Sequence, residues 1–497
     1  MPSVPLLPGV GSLGQGFDIF GRYDDSSLKA PLFDFDVDDD SGVRIEAPGG
    51  TCLRPFNTQT NFAANPARGA ALVFSSRAEY VEHLEVKADV NASDRAFTGA
   101  FSFAFNVDKK EEQNFSYALY EYEKQLWSIQ IVDPSAKNLA AHVLDDPAFR
   151  EVPTVYTPQN AHLFYRLFHK YGTHFVRSVD VGARLNYCVT AKKSFLSEKT
   201  AIQTKLDAEI DAVFLSAAAH ASANWSKAGK DWTDSRQIRI DVLGGDNARL
   251  AALRPGYEQN YKQVFDDWVS TLATRPGTIN FRLSPIEELF PGDQAEQVRR
   301  AAASYADSQL QVVSEPRDSA ILLNGIRVQM ETVGPQGVPS VVKIAVIDGD
   351  TLQLVHQRAY RIVASDFTAV MNDMSKYEKD DRYIVAIALT GEGGVALPYG
   401  YRGTQFPTGN FYAFLLGCGG GEAVSAWHDK YHHSSSDYTD SVTLAFVGCC
   451  GAQPNFGIGN LGHNEGLWQS PPRVEARAFL RPVGMGGGMI RFKPEEM

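Results

Sequence analysis

The residues of this chain that could do chemistry are few, and each group fails a test of spacing or of context. His428, His432 and His433, with Asp429, would set ring nitrogens one helical turn apart if their segment were helical, which is a zinc-binding geometry. In an exposed polar loop, the reading favoured here, they only solvate the surface. Asp34, Asp36, Asp38, Asp39 and Asp40 resemble the start of a calcium loop, but the sixth and twelfth positions, where an EF-hand needs Gly and Glu, are Asp39 and Ile45. A solvated acidic turn fits better. Gly9-Val-Gly-Ser-Leu-Gly14 has the form of a dinucleotide fingerprint, yet no strand pattern precedes it and no helix with a ribose-binding acid follows. The five cysteines (Cys52, Cys188, Cys418, Cys449, Cys450) are odd in number and lack CxxC spacing, so isolated buried thiols are expected rather than disulfides or a zinc site. No Ser or Cys nucleophile has an identifiable His/Asp partnership. The expectation is therefore no catalytic residue, no cofactor, no metal and no enzymatic activity.

Composition narrows the class further. The chain has 497 residues, 44% hydrophobic and 21% charged, with a net charge of -12. That length implies two or three domains. Without a Lys/Arg-rich block, nucleic acid is not an expected partner, because phosphate binding needs clustered cations. No run of about 18 apolar residues could span a bilayer as a helix. The first residues show neither a basic n-region nor an apolar h-region, so a soluble chain without a conventional signal peptide is expected. Sequons stand at Asn91, Asn114 and Asn224. Any action on a membrane must then come from surface binding or refolding.

The elements that must position such a function are read from periodicity. Leu84, Val86, Ala88 and Val90 alternate with Glu85, Lys87, Asp89 and Asn91; Phe97, Gly99, Phe101, Phe103, Phe105 and Val107 alternate with smaller or polar residues. Period two over these lengths predicts a β-hairpin. Leu163, Phe164, Leu167 and Phe168 predict a helix that Gly172 can stop, followed by extended chain from Phe175 to Val189. Residues 194–241 suit either helix or strand: Leu206, Ala208, Ile210, Ala212 and Phe214 share a strand face against Asp207, Glu209 and Asp211, yet the alanine-rich stretch also favours helix. Tyr117 to Ile131 reads as a core strand, Asp293 to Asp307 as a helix and Gln311 to Asp318 as a linker. Beyond it a β-rich, Gly-rich domain is expected, with strands that include Phe411 to Leu416, one helix from Phe367 to Tyr377 and a flexible tail over 481–497.

Three motifs then occur in register: Tyr171-Gly172-Thr173-His174-Phe175 with Gly182 seven residues on, Leu243-Gly244-Gly245-Asp246, and Trp268 with Pro285-Ile286-Xaa-Xaa-Leu289. Together they resemble the membrane attack complex/perforin (MACPF) family, departing from its signature at Ala183. The resemblance implies an α+β fold over 1–312: a bent four-stranded antiparallel sheet flanked by two helical clusters, here about 74–110 and 193–240, which leave the sheet as membrane-inserting hairpins. It implies that Phe97, Phe101, Phe103, Phe105, Leu206, Ile210 and Phe214 would face lipid, and Glu85, Asp89, Asp207, Glu209 and Asp211 the lumen. Gly182, Gly244 and Gly245 would be hinge positions able to take strained φ/ψ, and His174 a hydrogen-bonded structural residue. Domain 317–480 would supply membrane or receptor targeting, with Trp427, Tyr431, Tyr399 and Tyr401 as recognition residues; its pattern faintly resembles PANDER-type lectin-fold modules, with a β-prism as the competing reading. The function implied is a pore-forming toxin or defence effector, possible insecticidal action included, that binds a lipid, glycan or protein receptor on a target membrane, forms a ring of copies of itself and acts outside the cell that makes it. The alternative is a non-lytic recognition protein on the same scaffold.

Overall fold

The computed structural model describes residues 4–35, 37, 41–62, 67–90, 96–105, 114–157, 160–194, 198–215, 230–246, 261–315, 319–334, 341–362, 367–390, 408–433, 441–464, 472–486 and 489–496. It separates into two compact units, residues 1–151, 170–296 and 484–489 in one, and 152–169, 297–483 and 490–497 in the other.

The first unit is organised on two long antiparallel strands. In chain order its strands are β1 (Gln15–Phe17), β2 (Leu28–Pro31), β3 (Val43–Ala47), β4 (Gly50–Arg54), β5 (Thr58–Asn61), β6 (Arg68–Phe74), β7 (Phe115–Ile131), β8 (His174–Lys192), β9 (Arg236–Leu243) and β10 (Gly277–Pro285). β7 and β8 pair along almost their whole length. Neither is flanked by the same partners throughout. β6 and β9 flank the half of the pair nearer Phe115, with Phe74 opposite Tyr117 and Leu243 opposite Arg184. β5 and β10 flank the other half, with Thr58 opposite Ile131 and Gly277 opposite Gly182. Each half is thus four strands wide, and the ladder shifts register between Gln125 and Trp127, beside Gly182. A bulge there bends the strand and raises its twist.

Helices α1 (Arg77–Ala88) and α2 (Thr98–Phe105) follow β6; α3 (Ala141–Leu144), α4 (Pro147–Arg150) and α5 (Ala161–Tyr171) follow β7; α6 (Lys199–Ile210) follows β8 and runs into a π-helical turn, Asp211–Leu215. Further helices span Lys230–Ser235 and Tyr261–Val269. The hairpin expected from period-two alternation is therefore not present in this state: residues 84–88 belong to α1 and 98–105 to α2. α1 buries Tyr80, Leu84 and Ala88, a spacing of four that one helix face satisfies. Ser76 caps it, its Oγ accepting from the Glu79 N–H, and Asp89 ends it at φ 58°. The alternating residues were real, but four is a multiple of two.

The second unit is an α+β layer structure rather than an all-β prism. Its six-stranded sheet runs β14 (Glu331–Val333), β16 (Leu354–Arg361), β15 (Val341–Asp348), β17 (Tyr383–Thr390), β18 (Ser441–Cys449), β19 (Ile458–Asn464), all antiparallel except β14 against β16. Helices Thr368–Met374, Thr408–Gly417 and Glu422–His433 cover one face, burying Val370, Met374, Phe411, Leu415, Val424 and Trp427 against Ile344, Ile387 and Phe446. Strands β11 (Gln309–Ser314) and β12 (Ala320–Leu323), the latter paired with β13 (Ile326–Arg327), lie over the other. Burial on both faces explains why β17 reads as a continuous apolar run, Ile-Val-Ala-Ile-Ala-Leu.

Three expectations fail here. Phe411 to Leu416 is helical because its apolar side lies on the sheet. The linker proposed at 311–318 is strand through Ser314, paired with both β12 and β20 (Val474–Gly486). The tail contains a strand, β21 (Met489–Glu496), beside β20. The helix expected over 293–307 is present as Gly292–Ala306, its residues from 297 on grouping with the second unit.

Candidate functional site

The signature turn is built by close approach of backbones. Gly172 has φ 77°, and a Cβ there would lie 2.2 Å from the Phe17 carbonyl oxygen; a Cβ on Gly16 would lie 1.9 Å from that of Tyr171. Only glycine fits either place, so β1 can lie against the turn. Tyr171 is wholly buried and its hydroxyl donates to Asp146 Oδ2 at 2.7 Å, beside Lys170. Burial opposes ionisation of Asp146, but these two donors hold its carboxyl below the ordinary value, while burial and the same carboxylate push the Tyr171 phenol up. His174 is buried, its Nδ1 3.0 Å from Thr173 Oγ1, and Phe175 is wholly buried. The structural role expected of His174 fits this environment.

The glycines expected as hinges meet at one point. A Cβ on Gly182 would lie 2.0 Å from the Lys124 carbonyl oxygen, one on Gly244 2.2 Å from that of Gly182, and one on Gly277 2.7 Å from the Gly244 nitrogen. Gly244 and Gly245 have φ 74° and 72°; Gly182 lies outside the left-handed region, and its requirement is space rather than φ. Gly277 was not singled out from sequence, and only its pairing with Gly182 reveals it. The Trp268 indole N–H donates to the Gly244 carbonyl at 3.0 Å, tying the closing motif to the same point. Ala183, the departure from the signature, is wholly buried in the adjoining core.

Alternation along β7, β8 and β9 sorts the half-sheet beyond that point into two faces. Ala118, Tyr120, Leu185, Tyr187, Val189, Ile238 and Ile240 face α6, the π-helical turn and helices Lys230–Ser235 and Tyr261–Val269. Tyr117, Leu119, Glu121, Asn186, Cys188, Thr190 and Arg239 face α1 and α2. The two helical segments therefore lie on opposite faces of one sheet. On the α1–α2 side an aromatic cluster does most of the packing: the Phe101 and Phe105 rings lie 4.7 and 5.0 Å from Tyr117, and the Tyr80 ring 5.2 Å from Phe105. Lys87 adds ion pairs to Glu121 and Glu123 at 2.8 and 2.5 Å. Although burial opposes it, Lys87 and His83 hold the Glu121 carboxyl down at about 2.

On the α6 side the main polar contact is Glu209, which is wholly buried. It accepts from the Tyr187 hydroxyl at 2.6 Å, the Trp232 indole N–H at 2.7 Å, and Arg236 Nε and Nη2 at 3.0 and 2.5 Å. Four donors from β8, β9 and helix Lys230–Ser235 meet one carboxylate.

Of the residues expected to face lipid, Phe97, Phe101, Phe105, Leu206, Ile210 and Phe214 are buried core in this state, and Phe103 is half-buried. Of those expected to face a lumen, Asp89, Asp207 and Asp211 are exposed or half-exposed at the surface while Glu85 and Glu209 are buried. Asp89 pairs with Arg177 at 2.8 Å, and Asp207 accepts from Gln203. Among the recognition residues, Trp427 is wholly buried and edge-on to Phe411, so it packs the core instead of forming a contact surface. Tyr431 lies in helix Glu422–His433, with a side chain outside the described set; Tyr399 and Tyr401 lie outside the described residues, as do Asp36, Asp38, Asp39, Asp40, Asn91 and Asn224. The histidine segment expected as a loop is that same helix, and His428 stacks on Tyr412 at 3.8 Å. No group of three metal-ligating side chains occurs among the described residues. All five cysteines are buried free thiols, Cys188 with its pKa raised by burial.

The MAC/Perforin domain family model matches residues 6–312, more than half of the chain, and the protein belongs to this family, which is of pore-forming type. Perforin-1 of Mus musculus is 24% identical over 223 residues, 41% of this chain and 39% of perforin-1. Perforin-1 of Homo sapiens is 23% identical over 216 residues, 40% of this chain and 38% of the relative. The match thus spans about two fifths of these relatives. Among solved structures, GNIP1Aa from Chromobacterium piscinae shares the fold, with a TM-score of 0.50 and 16% identity over 99% of this chain and 89% of that one.

Proposed function

We propose that the protein forms pores: it binds a target membrane, assembles with copies of itself, and releases the segments about 74–110 and 193–240 as membrane-spanning β-hairpins, their helices refolding to strand. The observation that carries this reading is a spacing. Phe97, Phe101 and Phe105 are four residues apart, and so are Leu206, Ile210 and Phe214. Four residues are a little over one helical turn and also two full strand periods. In this state both sets are buried, Phe101 and Phe105 within α2 and Phe97 just before it at φ 57°, and as strand each set would make one lipid-facing row. Asp207 and Asp211 keep the same relation on the polar side. In lipid every backbone N–H and C=O must be paired, so hairpins can cross only as a closed barrel, and closure requires several copies. No described helix is long and apolar enough to cross a membrane. Recognition of the target falls to the second unit in this reading.

The test is dye release from vesicles made from target-cell membranes, with cysteine pairs tying Ala100 to β8 or Ala208 to β6. Oxidised protein should bind without releasing dye, and reduction should restore release. Undiminished release with both ties closed would reject the two segments as inserting hairpins. Binding without release by the untied protein on every membrane tried would favour a non-lytic recognition role.

A further inference from the structure

Two of the residues in the helical segments that break the four-residue pattern, Glu209 and Phe103, are gripped by one strand. Glu209 stands two residues from Asp207 and from Asp211; Phe103 stands two from Phe101 and from Phe105. In extended chain a step of two returns to the same face, so each would rejoin its companions. In a helix the same step turns a side chain by about 200°, which throws it to the far side. The structure shows that separation. Asp207 and Asp211 are exposed while Glu209 is wholly buried; Phe101 and Phe105 pack on Tyr117, while the Phe103 ring lies between guanidinium groups, Arg22 Cζ at 3.2 Å and Arg239 Cζ at 3.5 Å from its centroid. Contacts that short can be made only on opposite faces of the ring, and cations over both faces are favourable.

Arg236 and Arg239 both belong to β9 and, three residues apart, project from opposite faces of the sheet. Arg236 stands opposite Ala191, on the α6 face, and holds Glu209; Arg239 stands opposite Cys188, on the α2 face, and holds Phe103. Thus two of the side chains whose surroundings must change between helix and strand are ones that β9 holds. The apolar residues spaced by four need no such restraint, because their face is the same in both states.

We propose that β9 is a clasp: Arg236 on Glu209 and Arg239 on Phe103 keep the two segments helical, and because one strand carries both contacts, loosening either loosens the other. This rests on the refolding reading above, but it concerns the protein before any membrane is met. Amide hydrogen exchange of the full chain in buffer therefore tests it directly. Glu209→Gln removes the charge that Arg236 grips, and Phe103→Leu removes the ring that Arg239 grips. Each should speed exchange at least tenfold in residues 199–210 and also in 98–105, with β10 and the second unit unchanged. Arg239→Lys, which keeps the charge, should give a smaller change of the same pattern and guards against a core variant that fails to fold. Faster exchange confined to the substituted segment would overturn the coupling. An even rise along the chain would show general destabilisation and overturn the clasp. Dye release from phosphatidylcholine–cholesterol vesicles separates this from the pore reading. Tenfold faster release at equal bound protein supports both; the paired exchange pattern with no release from any variant, on these or on target-cell vesicles, supports the clasp and counts against pore formation.

Discussion

Removing the Glu209 carboxylate should be one of the most damaging single changes in the first unit, and removing its partner as well should be less damaging than either alone. Arg236 is 7% exposed and Glu209 0%. Glu209→Ala leaves a guanidinium buried without its partner, for which about 3–5 kcal/mol is typical. The Trp232 N–H and the Tyr187 O–H lose their acceptor too, at about 1–3 kcal/mol for each group left unsatisfied. Asp207→Ala, two residues away and exposed, should stay within about 0.5 kcal/mol of the parent. In the double variant Glu209→Met/Arg236→Met no buried charge remains, and well-packed apolar replacement of an ion pair is often neutral or stabilising; it should recover most of the charge penalty but not the cost of the two orphaned donors. Denaturant unfolding followed by tryptophan fluorescence measures the three variants. Glu209→Ala within about 1 kcal/mol of Asp207→Ala, or a double variant as damaged as the single, would refute the claim that this pair holds α6 to the sheet.

Further outcomes follow from the same geometry. Gly182→Ala and Gly277→Ala should each lower the thermal midpoint, since a Cβ would sit 2.0 Å and 2.7 Å from backbone atoms that cannot move without parting strands; Gly11→Ala, where a Cβ meets nothing within 4 Å, is the matched control. Burial raises the Asp18 carboxyl from 3.8 to about 7, Lys29 and the Phe20 N–H opposing it. The folded protein then holds a proton that the unfolded chain has released, so stability from this group is full below pH about 4 and is lost as pH rises to about 7. At about 1.4 kcal/mol per pH unit the loss is on the order of 4 kcal/mol. Asp18→Asn should flatten that slope in urea titrations between pH 4 and 7; an unchanged slope would remove Asp18 as its source. Trp427→Ala should destabilise the second unit by about 3–5 kcal/mol, as large core truncations do, and any loss of membrane binding should track that unfolding. Binding lost from a folded variant would restore Trp427 as a contact residue.

Much of the scaffold was legible because long, uniformly patterned elements have one physical solution. β7 and β8 are such elements, and so is the helix that Gly172 stops. The C-terminal segments were less so. Phe411 to Leu416 is too short for period to separate strand from buried helix, and Trp427 offered no sign of which way it would point. Gly277 was invisible because its constraint comes from Gly182 and Gly244, distant in sequence.

The sequence by itself determined the family, through three motifs in register, and a set of apolar residues spaced by four in two segments. That spacing is compatible with helix and strand alike, so no local reading could say which state the chain adopts. Only the tertiary structure decided it, because the sheet offers each segment a face and β9 offers two arginines. Those contacts hold Phe103 and Glu209 apart from the companions they would join in a strand, and that choice of partners is a property of the packed fold rather than of the segments.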